Sequence, residues 1–303
     1  MVYKHFDNCL FRYRKMSDER QAEKNICALE ENKLYFSTPA NFNDPYDSLL
    51  YVNDGELFGD IQYNWEIGMD SYLNRLEKEN PIIAAFGKTI WYGENRQKNI
   101  DSFKEMLDQK VDKVKTNIRN YVKIICFTED CLSMLMWSHY ASDHEGFVLV
   151  YNKDELLNAH CFDSKDNRIP RKLCLKPINY SNTRINMTKY IHEHLLKYEL
   201  PSLMDVTKLP DIPSIKVREF ILNKMKEWDY EKEWRLIPRV INIQEENPMC
   251  YIQLLPKAII IGAKCTINNE RKLREIAQRK EIAIFKVRIA DSVDYGLVLE
   301  NIN

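Results

Sequence analysis

An α+β fold is predicted, with a mostly antiparallel mixed sheet, surrounding helices and a helical insertion, from three features of the 303-residue sequence. Short apolar or alternating runs return along the whole chain, with helical periods between them at irregular intervals instead of a strict βα alternation. A long stretch from about 57 to 122 reads as helical and separates the first two strands from the rest. No repeat, low-complexity tract or Pro/Ser-rich linker breaks the chain, so a single domain over 1–303 is expected, with 57–122 inserted within it.

Taken in order, CLFRYR is a strand, and SDERQAEKNICALEEN is a helix that Ser17 can cap, with Ala22, Ile26 and Leu29 at helical spacing. KLYFS is the second strand. It runs into TPANFNDPYDS, whose Pro, Asn and Asp residues close turns and propagate neither helix nor ladder. In the helical block, Phe103, Leu107, Val111, Val114, Ile118 and Tyr121 recur by four and three, the signature of a buried stripe. VKIICFT returns to strand, LSMLMWSHYASDH is helical, and GFVLVY and KLCLKPINY are strands. Helices are expected over TRINMTKYIHEHLLKYE and SIKVREFILNKMKEW, strands over EKEWRLIP, MCYIQLL and KAIIIG, and a final helix NNERKLREIAQRK and strand AIFKVRIA.

Lys+Arg 44 against Asp+Glu 45 leaves a net charge of -1, so there is no global field to draw the chain onto nucleic acid or anionic lipid. No apolar run approaches the roughly 18 residues of a membrane helix. The eight cysteines are scattered without a CxxC pair and no signal peptide is recognised, which leads to an expectation of reduced thiols in the cytoplasm. Neither GxGxxG, Walker A, GxSxG, HExxH nor a kinase triad is present.

Four segments combine polar and aromatic residues beyond what packing requires: FRYR, FSTPANFNDPYD, MWSHYASDHEGF and WDYEKEWR. If EKEWRL is a strand, Glu231, Glu233 and Arg235 share one face by the period-two rule, either as a carboxylate pair tuned by Arg235 or as an exposed ion pair of little worth. Asn43, Asp44 and Asp47 stand on an irregular loop where binding groups concentrate, although Asn-Asp-Pro is also a plain turn former. Trp137, Tyr140 and Ala141 fall on one helical face. His144, one turn on, is either an acid/base or a structural histidine. Cys126, Cys131, His139 and His144 read C-x4-C-x7-H-x4-H, but the spacer is shorter than the roughly 12 residues of a zinc finger, so no metal is expected there.

Together the four segments resemble signature segments of the bacterial domain-of-unknown-function family 2971. These are a Tyr with basic neighbours, a loop with Asn-Asp-Pro, Trp-x-x-Tyr-Ala running to His-x-Gly, and Tyr-Glu-x-Glu-x-Arg. Counting Gly262 after KAIII, the resemblance spans residues 11 to 262, with Phe11 and Thr128 standing where Tyr and Ser are commoner. It implies kinship with phage-defence or abortive-infection components, and hence a defence-system protein as partner. The order of segments is also similar to that of ADP-ribosyltransferases, which implies NAD as substrate: Arg12 or Arg14 holding it, Ser37 and Thr38 supporting it, and Glu231 or Glu233 orienting the ribose. Within that reading Glu231, Glu233 and His144 are the catalytic candidates. Tyr13, Asn43, Asp44, Trp137, Tyr140 and Arg235 complete the ligand-binding set.

Two rival functions predict different behaviour. A metal-dependent nuclease would gather Asp44, Asp47, Glu231 and Glu233 around Mg²⁺. A non-catalytic sensor or antitoxin-like module would use the same pocket to recognise a ligand and leave NAD and nucleic acids intact.

Overall fold

A computed structural model describes residues 6–93, 96–194, 214–241, 243 and 246–302. The first strand, β1 (Cys9–Arg14), is followed by α1 (Glu19–Glu30) and β2 (Lys33–Tyr35). Asp18, not Ser17, caps α1, its carboxylate accepting from Gln21 N. The insertion comprises α2 (Asp54–Glu79), α3 (Pro81–Tyr92) and α4 (Arg96–Tyr121). Along α4, Phe103, Leu107, Val111, Val114 and Ile118 are buried and Tyr121 is half-buried, so the heptad-like stripe faces the core.

The elements after the insertion are β3 (Ile125–Thr128), α5 (Met134–Tyr140), β4 (Phe147–Asn152), α6 (Lys153–Asn158), β5 (His160–Phe162), β6 (Arg168–Ile169), β7 (Leu173–Pro177), β8 (Asn179–Ser181) and α7 (Thr188–His194). Then come α8 (Ser214–Ile221), β9 (Asn223–Met225), β10 (Glu233–Pro238), β11 (Tyr251–Gln253), β12 (Ala258–Ile261), α9 (Ile267–Lys280), β13 (Ala283–Ile289) and β14 (Leu297–Asn301). Among the described residues an eight-stranded sheet runs in the order β14-β13-β12-β4-β1-β3-β10-β7, parallel only between β12 and β13. A second sheet, β2-β11-β5-β6, is antiparallel throughout. The α+β prediction therefore holds.

Several local expectations change. The helix predicted through 214–228 stops at Ile221, because Asn223–Met225 pairs with β8 instead and Lys226–Glu231 winds into a 3-10 turn. Lys232, at φ 44°, ends that turn, so the late strand starts at Glu233 and not at Glu231. The strand expected over 172–180 is broken after Pro177, and Ile178 N turns to donate to Glu233 O. β14 pairs with β13 as an edge strand after what was expected to be the last element. The helix predicted over 183–199 begins only at Thr188 as α7, where Thr188 N donates to Asn186 Oδ1 at 2.9 Å, and its continuation past 194 lies outside the described residues.

What positions the site is a fork in the main sheet. β1 pairs with β4 along its full length, Cys9↔Asn152 to Arg14↔Phe147, but meets β3 at only one register position, Phe11↔Thr128. Beyond it the strands part. The start of β3 is taken up by the tail of β2, where Ser37 and Ile124 exchange backbone hydrogen bonds of 2.8 and 2.9 Å. Backbone polar groups at a sheet edge need partners, and this exchange supplies them on the far side of the opening.

Candidate functional site

The fork opens into a cleft with a cavity of about 340 Å³, within the roughly 300–1,000 Å³ range of ligand pockets. Its walls come from β1 (Phe11 to Arg14, with Lys15), from the turn at Asn41–Asn43, and from Ile124 and Cys126–Thr128. The floor carries Asp47, Lys224, Glu231 and Glu233, and α5 contributes Met136 and Tyr140. Segments separated by more than two hundred residues thus converge on one opening. Among the described residues none of the helical insertion lines it, although the end of α4 flanks the Asn-Asp-Pro loop through Arg119, whose guanidinium donates to Pro45 O at 3.3 Å.

Three carboxylates and two cations form the floor. Arg235 is buried and grips Asp47 with both terminal nitrogens, binds Glu233 from Nε at 2.7 Å, and donates to Ile221 O at 2.6 Å. Lys224 Nζ lies 2.6 Å from Glu231 Oε2, 3.2 Å from Glu233 Oε2 and 3.7 Å from Asp47 Oδ2. The Tyr140 hydroxyl donates to Glu231 Oε1 at 2.5 Å and receives Asn43 Nδ2 at 3.0 Å. Asn43, Tyr140 and Glu231 therefore form one hydrogen-bonded chain. The exposed-pair reading of Glu233 and Arg235 is overturned, since both side chains are buried.

The two glutamates differ electrostatically. Burial pushes Glu233 upward, but Arg235 and Lys224 outweigh it and hold the carboxyl at about 2. Glu231 is raised from its ordinary value, by burial first and by Glu233's charge as well, against the downward pull of Lys224 and Tyr140. Lys224 is itself raised, the charges of Glu233, Glu231 and Asp47 overcoming the cost of burial. Tyr140 is raised by burial and then by Glu231.

The β1 wall is cationic. Arg12 donates one terminal nitrogen to Tyr35 O at 3.2 Å and lies over the Phe127 ring, while its Nη1 is buried without a hydrogen-bond partner. Neither Arg12 nor Arg14 has a carboxylate partner among the described residues. Burial, and then the charge of Arg14, depress the Arg12 guanidinium to about 9. An anion in the cleft would relieve that cost.

The expected set divides by position. Arg12, Tyr13, Arg14, Ser37, Asn43, Tyr140, Glu231 and Glu233 line the cleft. Arg235 lies beneath it as the anchor of Glu233 and Asp47. Thr38 faces its own turn, where its hydroxyl accepts from Asn41 Nδ2 at 3.0 Å. Asp44 is buried away from the lining and accepts from Tyr46 N, the turn-forming role of Asn-Asp-Pro. Trp137 packs in the apolar cluster with Phe11 and Val148, and its indole N–H donates to Cys131 O at 2.8 Å. His144 stacks on Trp137 at φ 74° with its backbone carbonyl receiving Lys264 N, and it does not reach the lining. Burial and then Lys264 lower its pKa.

Lys224 and the hydroxyl of Tyr180, which accepts from Glu233 N at 2.8 Å, are the groups that sequence reasoning missed. Lys224 sat in an apparent amphipathic helix among other lysines, and no local signal marks it. Among the described residues no group of three or more His, Cys, Asp or Glu is arranged to hold a metal, and Lys224 occupies the centre of the acidic floor.

Residues 136–236 match the model of a family described as "Protein of unknown function (DUF2971)". No curated protein and no solved structure matches the chain. The matched segment, about a third of the chain, runs from α5 through β10 and carries Trp137, Tyr140, His144, Glu231, Glu233 and Arg235 in one stretch, and over it the chain is similar to the DUF2971 family.

Proposed function

We propose that the cleft binds an anionic nucleotide, with NAD as the first candidate, and that Glu231 acts at its ribose in an ADP-ribosyltransferase-like glycosyl transfer. The observation that carries this reading is a polarity within one cavity: two arginines without carboxylate partners on β1 face an acidic floor from which Glu231 reaches the lining. Guanidinium groups match phosphate oxygens in charge and geometry. A carboxylate near an anomeric carbon stabilises the oxocarbenium character that develops as a leaving group departs, as carboxylates do in glycoside hydrolysis.

Under this reading the residues have separate tasks. Arg12 and Arg14 hold the phosphates, and Ser37, fixed by its backbone exchange with Ile124, supports the sugar. Glu231, bonded to Tyr140, is the catalytic carboxylate. Glu233 and Arg235 keep the floor rigid, because each is spent on a buried partner. The nuclease alternative would require a divalent cation where the Lys224 ammonium sits, so the observation favours the nucleotide reading.

Calorimetric titration of NAD and of ADP-ribose into wild type, Arg12→Gln/Arg14→Gln and Glu231→Gln tests the binding half. Saturable binding by wild type, weakened at least tenfold in the arginine variant and retained in Glu231→Gln, is expected. Absence of heat from wild type with either ligand, or equal affinity in the arginine variant, would contradict it.

A further inference from the structure

Lys224 stands out because it is a lysine, buried, in a place where the sequence offered an ordinary helical surface residue. Its ammonium makes its shortest contact, 2.6 Å, with Glu231, and the Trp228 ring lies over it at 5.0 Å. It also forms the partition between the cleft and a second cavity of about 150 Å³, lined among others by Ser48, Arg184 and Asn223.

The division of partners on the floor is unequal. Arg235 satisfies Glu233 and Asp47, and no hydrogen bond links it to Glu231. Among the described residues Glu231 has two direct donors, Lys224 from β9 and Tyr140 from α5. The other charged or titratable groups around it are Glu233 and Arg235 on β10, Asp47 on the loop before α2, Tyr180 on β8 and the neighbouring Tyr230. Among the described residues, Lys224 is the one cation that touches Glu231.

Resting on the reading of Glu231 as the working carboxylate, we propose that Lys224 is the positioning residue of the site. By fixing Oε2 it holds Glu231 against the cleft in its ionised form, with Oε1 turned to Tyr140. A rival role is purely structural: Lys224 would neutralise the buried charge of Glu233 and Asp47 and have no particular effect on Glu231. Charge counting separates the two. Removing the ammonium leaves three carboxylates against Arg235 alone, and the excess falls on the carboxylate Arg235 does not reach.

The test is a carboxyl-carbon NMR titration of the full chain labelled at glutamate, in wild type, Lys224→Met and Lys224→Arg. The expected result is that Lys224→Met raises the Glu231 midpoint by about one pH unit or more while Glu233, still bound to Arg235, moves less. Lys224→Arg should return Glu231 to its wild-type midpoint. An unmoved Glu231, or a shift at Glu233 as large as that at Glu231, overturns the assignment. Should Lys224→Met fail to fold, the double variant Lys224→Met/Glu231→Gln decides: recovery of most of the lost melting temperature supports it, and simple additivity refutes it. Because the titration needs no substrate, a wild type inert towards NAD would count against the proposed function and leave this assignment standing.

Discussion

Glu231 and Glu233 are two residues apart and share Lys224, but Arg235 holds Glu233 and does not reach Glu231, and their pKa values shift in opposite directions, which gives them opposite linkages to pH. Glu233 has a folded value near 2 against an ordinary 4.5. Its contribution to stability is therefore complete above about 4.5 and is lost as pH falls towards 2. Acid titration of Glu233→Gln by circular dichroism should show a shallower loss over that window than wild type, from a lower starting stability at pH 7. Glu231 is raised, so its ionised form at neutral pH costs stability, and Glu231→Gln also leaves two carboxylates facing two cations. Its melting temperature at pH 7 should not fall below wild type. Arg235→Met strips Asp47 and Glu233 of their main donor in a buried setting, and denaturant unfolding should register a loss of about 3–5 kcal/mol. At this scale the pairing of Glu233 with Arg235 was legible from period two alone. The role of Lys224 was not, because a lysine buried by three carboxylates looks in sequence like any solvated lysine.

At the scale of elements, the cleft exists because β1 leaves β3 after one register position, and the geometry of β1 is fixed from its other side by β4. Gly146, just before β4, lets that junction close: a Cβ there would stand 2.1 Å from Arg14 O and 3.0 Å from Ala141 O. Gly146→Ala must push the β4 entry away from β1 or strain it, and should cost about 1–3 kcal/mol, measured by denaturant unfolding. Under the proposed nucleotide reading, affinity for NAD should fall with it, since Arg14 moves. The strands CLFRYR, VKIICFT and GFVLVY and the stripe on α4 were readable because burial on a fixed period leaves a pattern. The fork was not readable, since strand alternation reports which residues share a face and says nothing about where two neighbours stop pairing. β9 and the 3-10 turn were hidden for a related reason: pairing with β8 overrode a helical pattern that continues through 214–228.

Over the whole molecule, distant segments bring a cationic strand and an acidic floor to one cavity, with the insertion packed outside it. The family match covers α5 to β10, the part that supplies Tyr140 and Glu231, while the arginine wall comes from β1 outside the matched residues. Sequence reading found both walls because it looked for polar and aromatic clusters without a core role. It placed Trp137, His144 and Asp44 in the same set because packing and turn formation use those residue types too. The most direct test of the nucleotide reading is nicotinamide release from NAD at pH 7.5, measured for wild type and Glu231→Gln under conditions where both melt as single folded species. Release by wild type, with and without divalent metal, and a loss of at least a hundredfold in Glu231→Gln is the predicted result. Equal release by the two proteins, or none from wild type with NAD at millimolar concentration, would contradict it.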